Sequence, residues 1–302
     1  MRHAILGAGG VGGLIGVALA NAGESVTLVL RTGTSKNYPA ELSLEGSLGM
    51  FRALVEPAES VAQPFDVLWV TVKATQLDSA LRSVTARPEE LGAVVPLLNG
   101  VDHVALLRAR FGHDRVVPGV IRVEAERVAP GKFFIGAMAT RLNLSSTGES
   151  HLASTLNQLR HFGIKCQFDA DEMKMLWSKL VILGPLALTT TAAAMTVGEI
   201  CRSAEWRKRL ESAISEACAV ITASGTLFDA NEIIPLVDKV PPDTRSSMQK
   251  DVAAGNPPEL DAVAGPILRG AQAHGLAAPV TQELVEMIRG KLTSNFTSTG
   301  AA

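Results

Sequence analysis

The stretch that most constrains this chain is residues 1–31. Arg2–Leu6 is a short apolar segment of strand type, and Gly7-Ala8-Gly9-Gly10-Val11-Gly12 follows at once. Residues 14–22 read as a helix closed by Gly23, and residues 25–30 are a second apolar, partly β-branched run ending at Arg31. Strand, glycine turn, helix and strand make one βαβ unit, with G-x-G-x-x-G in the place where that motif has a mechanism. Gly7 permits the tight turn, Gly9 lets a pyrophosphate approach the backbone, and Gly12 lets the helix pack on the strand. The helix N-terminus offers Gly10, Val11 and Gly12 N–H groups and a positive dipole end to that pyrophosphate. An apolar stretch behind Arg2 could imitate a secretory signal, but six glycines between Gly7 and Gly16 weaken any signal helix.

Arg31 sharpens the cofactor. An NAD site carries Asp or Glu at the end of the second strand, to bond the ribose 2′-hydroxyl. Here the position is Arg31, followed by Thr32, Gly33, Thr34, Ser35 and Lys36. A cation among small hydroxyl residues suits a 2′-phosphate, so the expected cofactor is NADP(H).

A chain of 302 residues holds two domains of ordinary size. It is 47% hydrophobic and 19% charged, which is globular rather than disordered. The formal charge of −2 gives no electrostatic case for nucleic acid or an anionic membrane. Cys166, Cys201 and Cys218 form no C-x-x-C pair, which implies a reducing compartment and small buried hydrophobes rather than a disulfide framework. The most apolar stretch, residues 180–195, is interrupted by Gly184, Pro185 and three threonines, so it reads as buried core rather than a membrane span. A cytoplasmic protein is expected.

The first half alternates strands and helices. Residues 66–72 and 93–98 are near-continuous apolar runs, the mark of strands buried on both faces. Helices are expected over 75–82, 103–110 and 152–162, and further strands over 115–121 and 164–168. Val128-Ala129-Pro130-Gly131-Lys132 looks like a hairpin turn, which predicts an antiparallel or mixed edge to the parallel sheet. After about Asp169 the period becomes helical, with segments over 171–182, 204–223, 244–253, 259–273 and 280–291, then a small polar tail over 294–302 that should fray. The expected architecture is α/β: a Rossmann-type doubly wound NADP-binding domain over residues 1–169, then an all-α substrate and catalytic domain over 170–302.

Ligands of an open α/β sheet bind beyond the C-terminal ends of its strands. Arg31, Lys73 and Asn99 fall there and form a candidate polar rim on one crevice. Lys179 enters the most apolar segment of the chain. It either snorkels at the core's edge or sits in a partly desolvated cleft, where a lowered pKa would suit proton transfer. Glu259 starts a helix, where acids also serve the dipole, and Ser247 is unremarkable by itself. The six histidines show no metal-ligand spacing, so no metal is expected, and no G-x-S-x-G elbow appears.

Together these residues resemble the ketopantoate reductases (2-dehydropantoate 2-reductases) over nearly the whole length. The resemblance rests on the glycine turn, Arg31, Val72-Lys73-Ala74-Thr75-Gln76, Asn99-Gly100, Trp177-Ser178-Lys179-Leu180, Ser246-Ser247-Met248-Gln249-Lys250-Asp251, Glu259-Leu260-Asp261 and Ala273-His274-Gly275 with Pro279. It implies hydride transfer from NADPH to the ketone carbon of a branched 2-oxo acid, in pantothenate synthesis. It implies Lys179 as general acid and Glu259 as the acid that holds this lysine and a substrate hydroxyl. Lys73 and Asn99 would lie at the nicotinamide and substrate side, and Ser247 would touch substrate. The implied partners are a small 2-oxo acid and, for assembly, a second copy in a homodimer.

The chain departs from the family where Leu183, Ala187 and Ala264 stand at positions that often carry Asn. A site that hydrogen-bonds a substrate hydroxyl discriminates strongly for it, so these losses point to a less polar pocket. Two alternatives follow: a related NADP-dependent dehydrogenase for a more apolar oxo acid, or a non-catalytic NADP-binding regulatory protein.

Overall fold

The computed structural model describes the backbone through Thr299 and side-chain surroundings through Thr293. Its contacts divide it into two compact units, Met1–Leu98 with Asp102–Leu176, and Asn99–Val101 with Trp177–Ala302.

The first unit opens with β1 (Arg2–Leu6), α1 (Gly10–Asn21) and β2 (Ser25–Val29). A hairpin of β3 (Glu41–Gly46) and β4 (Gly49–Leu54) follows, then β5 (Glu56–Ala58) and β6 (Phe65–Val70). A single 3₁₀ turn leads into α2 (Leu77–Leu81), and β7 (Leu91–Pro96) and α3 (His103–Phe111) complete the alternation. The central sheet has the order β5-β2-β1-β6-β7 with every pair parallel. Its strands are apolar on both faces because both faces are covered. Ile5, Leu28, Val67, Trp69 and Val95 enter one core with α1, while Ala4, Leu6, Leu68, Val70 and Val94 enter another with residues of α2 and α3. Alternate residues of one strand feeding opposite cores is what a doubly wound sheet requires.

Downstream come β8 (Gly119–Arg122), β9 (Ala125–Ala129), β10 (Lys132–Ile135), β11 (Arg141–Ser145), α4 (Glu149–His161) and β12 (Lys165–Asp169). Two expectations are corrected here. The hairpin at Gly131 is not an edge of the parallel sheet. β9 and β10 join β3 and β4 in a separate sheet of order β4-β3-β10-β9. The strand expected over 115–121 pairs its backbone with the parallel sheet through an isolated Val116–Val94 bridge. Pro118 has no N–H to continue that ladder, and the chain re-pairs after it as β8 in a third sheet, β12-β11-β8.

α5 (Glu172–Ala193) runs from the first unit into the second, longer than the expected 171–182 because it continues through Pro185. Thr189 and Thr190 return their hydroxyls to the Pro185 and Leu186 carbonyls at 2.8 and 2.7 Å, so three threonines sit in a helix without orphaned hydroxyls at those two positions. By length and composition α5 could cross a membrane, and 78% of its most apolar window is buried inside the fold. The second unit continues with α6 (Val197–Arg202), α7 (Ala204–Ala223), α8 (Ala230–Ile233), α9 (Ser247–Ala253), α10 (Leu260–Ala273) and α11 (Pro279–Thr299). Two apolar clusters hold it, one centred on α5 to α7 and one joining α5, α10 and α11. The backbone of α11 continues to Thr299, into the tail expected to fray; residues 300–302 of that tail lie outside the described residues. Of the cysteines, Cys218 is buried, whereas Cys166 and Cys201 are only half-buried.

Candidate active site

In the first unit, the glycine turn sits at the C-terminal ends of β1 and β6. Gly7 has φ +115°, and a Cβ there would stand 2.9 Å from the Val72 backbone nitrogen. Thr71 ties the two strands by donating its hydroxyl to the Leu6 and Gly7 carbonyls at 3.2 and 2.9 Å. Gly12 is excluded from bearing a side chain because its Cβ would fall 2.0 Å from the Gly7 oxygen. Gly9 differs: open space surrounds the position of its Cβ, at the N-cap of α1. That is the fit expected of a pyrophosphate cradle, an empty approach in front of the unpaired N–H groups of a helix N-terminus.

Gly10 has a further constraint. A Cβ there would meet the Ala125 carbonyl oxygen at 2.3 Å, because β9 lies against the start of α1. The same strand brings in Arg127, whose Nη1 donates to the Ala8 carbonyl at 3.4 Å. A guanidinium beside the positive end of a helix favours an anion there. Sequence reasoning missed Arg127, and no local pattern marks it, since only the pairing of β9 with β10 and of β10 with β3 places it.

Arg31 is exposed in the turn after β2. The turn is shaped by Glu59, which accepts from Gly33 N at 2.9 Å, Ser35 N at 3.3 Å and Ser35 Oγ at 2.7 Å. These bonds, the Ser35 hydroxyl foremost, hold the Glu59 carboxyl below its ordinary range. The Ser35 hydroxyl is therefore engaged within the protein, leaving Arg31 and Lys36 as the exposed cations of the turn. Lys73 is half-buried directly after Val72, beside the glycine turn.

The second unit holds the other group. Lys179 projects from α5, and its Nζ donates to Asn99 Oδ1 at 2.9 Å. Asn99 Nδ2 in turn donates to Glu259 Oε2 at 2.9 Å. Glu259 is the N-cap of α10 and 8% exposed, while Lys179 and Asn99 are half-buried. The backbone makes this approach possible at Gly100, where a Cβ would meet the Ala262 carbonyl oxygen at 2.3 Å. Asn99, three residues beyond the end of β7 at Pro96, groups with residues 100 and 101 in the second unit, whereas Arg31 and Lys73 belong to the first.

Ser247 is not drawn into this group. It is exposed at the first residue of α9 and makes no side-chain hydrogen bond among the described residues. Its neighbour Ser246 caps that helix, accepting from Gln249 N at 3.1 Å, and its Oγ lies 2.9 Å from the Thr190 Oγ1. Leu183, one turn beyond Lys179, is half-buried, whereas Ala187 and Ala264 are buried in the apolar cluster of α5 and α10. Among the described residues no His, Cys, Asp and Glu group of metal-binding size occurs.

Two family models match this chain: "Ketopantoate reductase PanE/ApbA" over residues 3–147 and "Ketopantoate reductase PanE/ApbA C terminal" over residues 171–292. A 2-dehydropantoate 2-reductase of Mycobacterium tuberculosis is 31% identical over 299 residues, covering 94% of this chain and 96% of that one. The crystal structure of a PanE/ApbA family ketopantoate reductase from Ralstonia eutropha superposes with a TM-score of 0.87 at 26% identity, covering 97% of this chain and 99% of that one. D-Mandelate dehydrogenase, solved with NADH and anilino(oxo)acetate, shares the fold at a TM-score of 0.86, 20% identity, and the same coverage. The glycine turn, the Lys179–Asn99–Glu259 chain and these matches lead to one conclusion: the chain belongs to the ketopantoate reductase family of oxidoreductases.

Proposed function

We propose that this chain reduces a 2-oxo acid with NADPH, and that its substrate is 2-dehydropantoate, giving (R)-pantoate for pantothenate synthesis. The observation that carries the reading is the hydrogen-bonded series Lys179–Asn99–Glu259. A protonated lysine aimed by a neutral amide, which is itself held by a buried carboxylate, is a positioned proton donor. A bound reduced nicotinamide would supply the hydride for the ketone carbon. Lys179 donates a proton from Nζ to the developing alkoxide, which stabilises charge that appears only in the transition state. The product is a 2-hydroxy acid, and the neutral amine regains its proton from water. Asn99 and Glu259 fix the lysine's direction, which is where an oriented donor gains over one in solution.

Binding of the dinucleotide is assigned to Gly7, Gly9, Gly10, Val11 and Gly12, with Arg31 on the 2′-phosphate and Lys73 beside the turn. Arg31 favours NADPH because a guanidinium pairs bidentately with phosphate. The D-mandelate dehydrogenase structures contain NADH, so the two cofactors are to be compared directly.

Leu183 supports a second reading, a more apolar 2-oxo acid. It stands on the face of α5 that carries Lys179 and has no polar atom to offer a substrate hydroxyl. The test is NADPH and NADH oxidation with 2-dehydropantoate against aliphatic and aromatic 2-oxo acids. Turnover of 2-dehydropantoate with the highest kcat/KM supports the first reading. Turnover of other acids alone replaces it with the second, and no turnover of any removes the reductase activity.

A further inference from the structure

A row of like charges crosses the third sheet of the first unit. Arg122 on β8 pairs directly with Arg141 on β11, and Arg141 pairs directly with Lys165 on β12. Residues paired in this way share a face of the sheet, and like charges so placed are destabilising. Three cations therefore stand side by side on three adjacent strands. Arg160, in the last turn of α4, adds a fourth. Its Nε donates to the Cys166 carbonyl at 3.0 Å and its Nη1 to Asn157 Oδ1 at 2.5 Å, which fixes the guanidinium over the start of β12.

All four line one cavity of about 620 Å³, together with Asn143 and Gln167. Asn143 and Gln167 are themselves paired, two residues along from Arg141 and Lys165, so they face the same way. The acid that answers this cluster is Asp169, which accepts from Asn143 Nδ2 at 2.8 Å and draws on Arg122. Among the described residues no carboxylate stands within ion-pair distance of Arg141, Arg160 or Lys165. Burial of the half-buried Arg122, and after it the nearness of Arg141, press against its charged form. The lining carries these four cations and no Asp or Glu, in a chain whose formal charge is −2.

Surface cations ordinarily diverge into water. These instead stand in register on paired strands and line one space that is large enough for an organic ligand. Guanidinium groups match phosphate oxygens in planar, bidentate geometry. We propose that this cavity is a second anion site, which binds a metabolite carrying two or more linked phosphates. It shares no lining residue with the glycine turn or with the Lys179 group.

The test is isothermal titration of the full chain with inorganic pyrophosphate at low ionic strength, alongside thermal melting without ligand. Arg141→Gln and Lys165→Gln are each expected to weaken pyrophosphate binding about tenfold, the effect of losing one charge-assisted contact. Each should also keep or raise the melting temperature, because each relieves repulsion within the row. Both residues are exposed, so neither variant depends on repacking a core. The proposal is overturned by the absence of pyrophosphate binding to the unaltered chain. It is equally overturned by an affinity that Arg141→Gln leaves unchanged, or by a fall in melting temperature in both variants, which would make the row a structural support.

Discussion

Asn99 does two jobs with one amide. An ammonium can only donate and a carboxylate can only accept, so the partners fix which end of the amide faces which. Oδ1 receives Lys179 and Nδ2 holds Glu259. A neutral group thus takes part in setting the lysine's direction and also binds the carboxylate. If Lys179 is the proton donor, Lys179→Ala should lower kcat for the preferred 2-oxo acid by about two to four decades, read as NADPH oxidation. A variant within a few-fold of the unaltered rate would remove Lys179 from that role. Lys179 was legible as a candidate because it enters an apolar run; Glu259 was marked by the family resemblance, since an acid that opens a helix also serves the dipole. Their connection through Asn99 was not legible, since the bonds join positions 80 and 160 residues apart in sequence.

At the level of elements, the period-2 and period-3.6 patterns recovered the βαβ unit, four of the five strands of the parallel sheet and the long helices, because those depend on near neighbours; the short edge strand β5 was not expected. The β3–β4 hairpin and the second sheet escaped notice. Their strands are short and half-exposed, and they become a sheet only by pairing β3 with β10 across the chain. That pairing is what lays β9 on α1 and requires glycine at position 10. The end of α5 carries a different strain. Ala194 has φ +59°, the only non-glycine among the described residues with positive φ, and it is exposed directly after the helix. An L-residue in that conformation costs about 1–2 kcal/mol, whereas glycine adopts it freely and loses some of the gain to unfolded-state entropy. Ala194→Gly is therefore expected to stabilise the protein by about 0.5–1 kcal/mol, measured as a raised urea midpoint with an unchanged m-value. A lowered midpoint would show that the helix end is held by something other than its φ.

At the scale of the whole molecule, stability is tied to pH through the start of the chain. His3 is fully buried in β1, where its Nδ1 accepts from Trp69 Nε1 at 3.2 Å, and burial pushes its pKa down to about 4. The unfolded chain takes up the proton near the ordinary histidine value of 6.5, so between these values the unfolded state holds more protons and stability falls as pH falls. Glu24 acts in the same sense at lower pH. Burial opposes its ionisation, but hydrogen bonds from the N-terminal amine and Gln158 outweigh that and lower its pKa, so its contribution is lost on acidification. From pH 7 to pH 5, His3 alone should cost about 2 kcal/mol of folding stability. His3→Asn, which keeps an acceptor for Trp69, should flatten the decline in urea midpoint over that range; equal declines in both proteins would refute the assignment. The sequence by itself determined what short-range forces decide: a glycine turn between strand and helix, strands apolar on both faces, a helical second half, a cation where an NAD site has an acid. The tertiary structure alone decided the Lys179–Asn99–Glu259 chain, Arg127 beside the glycine turn, and the cation row on the third sheet. Each of these depends on which distant segments pair and in what register, and register is set by packing across the whole fold rather than by neighbours in the chain.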